Sequence, residues 1–169
     1  MGEANNIVLI GMPGAGKSTV GVVAAKILGK HFIDADLLIQ GRFGRTLAVL
    51  IDELGPEGFI EIENEVLREI ECENTLVATG GSAIYSEEAM AHLKSLGTIV
   101  YLEVSLEELK ERLGELAERG VVMRGDCASI DDLYVERVPL YERWADITIE
   151  VAKVSIREAA QLLAQALAS

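Results

Sequence analysis

Gly11-Met12-Pro13-Gly14-Ala15-Gly16-Lys17-Ser18 follows directly on the apolar run Ile7-Val8-Leu9-Ile10. Glycines at this spacing let the backbone curl so that successive N–H groups converge on phosphate oxygens, and a helix beginning there adds the positive end of its dipole. Gly14, Ala15, Gly16, Lys17, Ser18 and Thr19 are therefore the expected nucleotide-binding residues, with Lys17 bringing a mobile cation to the phosphates. The Ser18 hydroxyl is placed to ligate magnesium. This is the chemistry of a protein that uses a nucleoside triphosphate.

Two carboxylates come next. Phe32-Ile33-Asp34-Ala35-Asp36 sets Asp34 and Asp36 at i and i+2, hence on one side of an extended segment. Phosphoryl transfer calls for one carboxylate near hydrated magnesium and another that orients or deprotonates the attacking hydroxyl. The alternative use of Asp36 is to cap a helix beginning near Leu37. Further on, Ala78-Thr79-Gly80-Gly81-Ser82-Ala83 forms a second glycine turn, whose N–H groups have room to approach a substrate oxygen or phosphate. A plain strand-to-helix turn is the competing reading.

The elements that must hold these groups follow a simple alternation. The patterning predicts strands over Asn6–Gly11, His31–Ala35, Thr75–Thr79, Thr98–Glu103 and Asp146–Val151. It predicts helices over Lys17–Leu28, Pro56–Cys72, Glu87–Leu96, Leu106–Gly114, Ile130–Ala145 and Ser155–Ala168, the first closed by Gly29. Strand–helix alternation points to an α/β fold with a parallel sheet covered on both faces. Two stretches exceed what a crossover needs: about 36–73, read as a small helical insertion, and about 115–129, read as a flap over the nucleotide. Both begin near carboxyl ends of strands, where ligands bind in open α/β sheets.

Composition bounds the rest. A chain of 169 residues, half hydrophobic and a quarter charged, supports one globular domain, 1–169. A net charge of −13 argues against a nucleic-acid partner, which needs a basic surface. No apolar run approaches the roughly 18 residues of a membrane span, and Met1 to Asn6 carries no signal-like stretch, so a cytoplasmic location is expected. Cys72 and Cys127 lack metal or redox spacing and read as structural.

The phosphate loop, the Asp34-Ala35-Asp36 strand end, the Gly80-Gly81 turn and the string Arg137-Val138-Pro139-Leu140-Tyr141 occur in one order across nearly the whole chain. Together they resemble shikimate kinase. The resemblance implies a three-layer P-loop fold of the nucleoside-monophosphate-kinase type, with a five-stranded parallel sheet in the order 2-3-1-4-5, a helical substrate-binding insertion and a lid. It implies MgATP-dependent phosphorylation of the shikimate 3-hydroxyl, a step of aromatic amino acid biosynthesis, by a protein expected to be a monomer.

Residue by residue, the resemblance implies that Lys17 and Ser18 serve ATP and magnesium, and that Asp34 lies near the metal through water. Asp36 binds substrate hydroxyls and acts as base, while Gly80 and Gly81 face the substrate, Gly81 through its N–H. Arg112 packs on adenine, Arg119 reaches the phosphates from the lid, and Arg137 grips the substrate carboxylate. Arg124 is the competitor for the lid role. Three positions depart from the family pattern. The string Phe-Arg-x-x-Glu reads Phe59-Ile60-Glu61-Ile62-Glu63, a third glycine is Ser82, and the lid Arg-Pro-Leu-Leu becomes Arg119-Gly120-Val121-Val122. Arg42 or Arg45 is the candidate replacement for the arginine absent at position 60. An altered acceptor, another small hydroxylated metabolite, or a nucleotide-binding regulatory module that has lost catalysis are the alternative functions these departures raise.

Overall fold

The computed structural model describes residues 5–112 and 129–169. Its sheet is built from β1 (Asn6–Ile10), β2 (His31–Asp34), β3 (Thr75–Ala78), β4 (Gly97–Glu103) and β5 (Ile147–Glu150), all parallel and ordered β2-β3-β1-β4-β5. β1 lies at the centre with Ile7 to Ile10 all buried. Covered on both faces, it needs no polar alternation, which is why it reads as an unbroken apolar run. Leu9 pairs with Ala78 on one side and Val100 on the other, so the loops leaving β1 and β3 emerge side by side.

The helices are α1 (Lys17–Leu28), α2 (Ala35–Phe43), α3 (Leu47–Arg68), α4 (Glu87–Leu96), α5 (Leu106–Arg112), α6 (Ile130–Trp144) and α7 (Ile156–Ala168). They complete a three-layer α/β sandwich in which α1 packs against α7 and α3 against α4. Among the described residues no helix is long and apolar enough to cross a membrane.

The stretch after β2 differs from the expectation in its detail. Asp34 caps a helix that begins at once: its Oδ1 accepts from the Asp36 N–H at 2.9 Å and the Leu37 N–H at 3.4 Å. Asp36 therefore sits in the first turn of α2 rather than on an extended strand end, and the capping residue is Asp34. The next helix starts nine residues before Pro56, at Leu47, because the Thr46 hydroxyl accepts the Val49 N–H at 3.3 Å. Gly55, at φ 73°, breaks it, and Pro56 opens its second half at a position where no N–H is needed.

That helix ends at Arg68, short of Cys72, because the chain must turn back into β3. The Asn6 side chain fastens the turn, donating to the Cys72 carbonyl at 2.8 Å and accepting the Thr75 N–H at 2.9 Å. α2 and α3 enclose a second apolar cluster of Ile39, Leu50, Phe59 and Val66, separate from the core on the sheet. Cys72 is a free, half-buried thiol, while Cys127 lies outside the described residues.

Candidate active site

The level ends of β1, β2 and β3 open into one cleft of about 570 Å3. Its floor is the loop after β1, where Gly16, left-handed at φ 90°, turns the chain into α1. A side chain there would strain the backbone at the point where the N–H groups must converge. Gly14, Ala15, Gly16, Lys17, Ser18 and Thr19, the expected nucleotide-binding residues, all line the cleft.

Lys17 is only 7% exposed and donates to the carbonyls of Gly11 and Met12 at 2.6 and 2.9 Å. Burial pushes its ammonium down to about 8, with the Arg137 cation adding to the effect and the Asp36 carboxylate opposing it. Ser18 donates its hydroxyl to Asp34 Oδ2 at 2.7 Å. The two expected magnesium ligands therefore touch, and hydroxyl plus carboxylate oxygen is the hard donor set that suits this ion. Among the described residues no cluster of three or more His, Cys, Asp or Glu is arranged to hold a metal by itself. A site that relies on phosphate and water for its remaining ligands fits that arrangement.

Across the loop from α1 stands the second glycine turn. Thr79 ties it to β1 by donating its hydroxyl to the Leu9 carbonyl at 2.8 Å. At Gly80, a Cβ would lie 2.8 Å from both Asp36 Oδ1 and Glu63 Oε2; at Gly81, it would lie 2.9 Å from Arg137 Nη1 and from the Pro13 ring. Both glycines are thus required by close approach, and two carboxyl groups and a guanidinium converge on this turn.

Arg137 is 1% exposed, so it lies in the interior and not on the helix surface. Its Nε donates to the Tyr85 hydroxyl at 3.1 Å, and its guanidinium lies 5.2 Å from the centre of that ring. Burial pushes the Asp36 carboxyl up to about 6, Asp34 adding and Lys17 opposing. Burial likewise pushes Glu63 up to about 7, against the hydrogen bond from Ser82, whose hydroxyl reaches Glu63 Oε1 at 2.6 Å.

Arg112 also lines the cleft, as do Val154, Ile156 and Ala159. It donates to the Gly14 carbonyl at 3.1 Å and pairs with Glu108 at 2.5 Å, and Glu108 in turn accepts the Lys153 N–H at 3.1 Å. These bonds fix the guanidinium at the phosphate loop, a setting in which it can stack on a flat ring. Arg119 and Arg124 lie outside the described residues. Arg42 pairs with Glu69 at 2.9 Å and Arg45 with Glu53. Both arginines are largely solvated, and neither lines the cleft. Ile60 itself packs on the apolar cluster between α2 and α3.

The comparisons with known proteins agree with this geometry. The family model described as shikimate kinase matches residues 13–168. The chain belongs to the shikimate kinase family. The shikimate kinase of Nitrosospira multiformis is 41% identical over 164 residues, which span 96% of this chain and 84% of that one. That of Francisella tularensis subsp. novicida is 39% identical over 158 residues, 92% of this chain and 90% of that one. Among solved structures, the Acinetobacter baumannii shikimate kinase in complex with shikimate superposes with a TM-score of 0.88 at 34% identity, covering 96% of this chain and 92% of that one. The Aquifex aeolicus shikimate kinase gives 0.82 at 32%, with 96% of each chain covered. As a member of this family the chain is an ATP-dependent small-molecule kinase.

Glu63 closes the string Phe59-Ile60-Glu61-Ile62-Glu63 but was given no role in the site, although a second signal was present. Phe59, Glu63, Val66 and Leu67 recur at i, i+4, i+7 and i+8 and share the buried face of α3. A carboxylate at that spacing is either misplaced or in use. Tyr141, which meets Gly81, stood in the Arg137–Tyr141 string without a role, and Tyr85, which meets Arg137, carried no mark.

Proposed function

We propose that the chain transfers the γ-phosphoryl group of ATP to the 3-hydroxyl of shikimate, giving ADP and shikimate 3-phosphate. The observation that carries this reading is the single cleft joining a complete phosphate loop to Asp36, Gly80, Gly81 and Arg137. The Acinetobacter baumannii relative, solved with shikimate, supports the choice of acceptor.

In this reading adenine stacks on Arg112, and the amides of Gly14 to Thr19 hold the phosphates. Phosphate oxygens beside Lys17 favour its charged form and draw its ammonium from the loop carbonyls toward the transferred group. Ser18, and Asp34 through water, would hold Mg2+, which would supply neutralising charge to the phosphates.

Arg137, buried beside Gly81, receives the acceptor carboxylate, and the Gly80 and Gly81 backbone borders the ring. Asp36, with a carboxyl near 6, is poised to take the proton of the attacking hydroxyl at neutral pH. That oxygen then bonds to the γ-phosphorus as the bond to the β,γ-bridging oxygen breaks and ADP leaves. Lys17, the loop amides and Arg119 from the lid stabilise the transferring charge.

The proposal extends to organisation: one kinase domain over 1–169, with the substrate-binding insertion at about 36–73 and the lid at about 115–129, acting as a monomer in the cytoplasm. A coupled ADP-release assay with shikimate, run beside a panel of polyols and other hydroxy acids, tests it. ADP release dependent on shikimate is expected; turnover of another acceptor with none of shikimate would overturn the assignment.

A further inference from the structure

Ile60 and Glu63 lie one turn apart on α3, at i and i+3, where an arginine at position 60 would be within reach of the Glu63 carboxyl. With isoleucine there, packed into the apolar cluster, α3 supplies no cation to this buried acid at that position. The turn after β3 supplies a hydroxyl instead. Ser82 is itself buried, at 4% exposure, and donates to Glu63 Oε1 at 2.6 Å, while Glu63 Oε2 is directed at the Gly80 backbone beside Asp36 Oδ1. Two of the three departures from the family pattern, at positions 60 and 82, thus lie around one carboxyl group.

We propose that Ser82 is a positioning residue of the acceptor site: its hydroxyl holds the Glu63 carboxyl so that Oε2 stands beside Asp36 at Gly80, facing the bound acceptor, a task that an arginine at position 60 would otherwise share. The proposal rests on the assignment of this end of the cleft to shikimate. A buried acid left without its donor loses a fixed orientation and the hydrogen bond that favours its ionised form. Either change alters the surface that Asp36, Gly80 and Arg137 offer the acceptor, while the phosphate loop is untouched. The charged and titratable groups that face Glu63 are Lys17 from α1, Asp36 from α2, and Arg137 and the Tyr141 hydroxyl from α6. None of them is removed by a change at Ser82.

The test is steady-state kinetics of Ser82→Ala and Ser82→Gly, with KM measured separately for ATP and shikimate and the pH profile of kcat/KM for shikimate recorded. Glycine is the residue of the family pattern at this position, so it guards against misfolding of the alanine variant. KM for shikimate is expected to rise about tenfold in both variants, with KM for ATP unchanged. The profile's limb near neutrality is expected to move up by about one unit. Adding Ile60→Arg to Ser82→Gly is expected to recover most of the loss, whereas Ile60→Arg in the Ser82 background gains less. An unchanged KM for shikimate and unchanged profile, a parallel rise in both KM values, or strictly additive effects of the two positions would each overturn the role of Ser82. A wild-type enzyme inactive on shikimate would instead overturn the acceptor assignment, and this inference with it.

Discussion

Tyr141 donates its hydroxyl to the Gly81 carbonyl at 2.6 Å, joining α6 to the glycine turn after β3. The ring is 1% exposed and stacks on Tyr101 with centroids 5.1 Å apart, so the hydroxyl is delivered by a side chain that cannot swing. Arg137 lies one turn earlier on the same helix, and the bond thereby sets the distance between the guanidinium and the Gly81 backbone. Tyr141→Phe keeps the stack and removes the donor. A buried carbonyl left unpaired costs about 1–3 kcal/mol, a fall in Tm of roughly 3–10 °C for a chain of this size. Calorimetry should record that fall, and kinetics should record a higher KM for shikimate with KM for ATP retained.

Gly81→Ala tests the same contact from the other side. The added methyl would lie 2.9 Å from Arg137 Nη1 and 2.9 Å from the Pro13 ring. The proline is part of the phosphate loop and does not yield, so the guanidinium moves. A displaced charge-assisted contact predicts a rise of about ten- to hundredfold in KM for shikimate. Nucleotide binding, read by titration with a fluorescent ATP analogue, should change far less. An equal loss of both would place the damage in the loop rather than at Arg137.

Lys17→Met separates catalysis from stability. The ammonium is buried, its pKa is pushed down to about 8, and two of its three donors go to the Gly11 and Met12 carbonyls. Removing it frees the fold of a desolvated cation but strips those two carbonyls of a partner, and the opposing effects leave stability within about 1 kcal/mol. Turnover has no such compensation. Loss of the cation on the transferring phosphoryl group should lower kcat by at least about a hundred- to thousandfold. Paired melting curves and ADP-release rates would show one quantity held and the other lost.

How much of this could be read from the residues depends on the range of each contact. The phosphate loop is local, eight residues whose geometry is set by their own glycines and by the flanking strand and helix, so Gly14 to Thr19 fell where the motif put them. The parallel sheet followed from strand–helix alternation for the same reason. Arg137 was found through its string, but its burial was not visible, because its partner Tyr85 is 52 positions away. Tyr141 and Gly81 are 60 apart, and Ser82 and Glu63 are 19 apart, on different elements. Only the packing of α3 and α6 around the β3 loop brings those groups together. Among the local errors, the place of Asp36 arose because an Asx cap ends a strand and starts a helix within two residues, which a period-two reading misses.

Glu63→Gln gives the sharpest electrostatic test, because the sign of the effect is fixed. Burial holds the folded-state carboxyl near 7, against an ordinary value of 4.5. Between those values the folded chain keeps a proton that the unfolded chain releases, so stability is full below pH 4.5 and falls as pH rises through 7. Glutamine cannot ionise and escapes that loss, while its carbonyl still accepts the Ser82 hydroxyl. The variant should match wild type at pH 4.5 and exceed it at pH 8 by up to about 3 kcal/mol. Urea unfolding at the two pH values measures the difference directly, and parallel curves would place the electrostatic cost elsewhere. If Glu63 faces the acceptor as a carboxylate, the same variant should lose the limb near pH 7 from its kcat/KM profile for shikimate, becoming more stable and less active through one atom change.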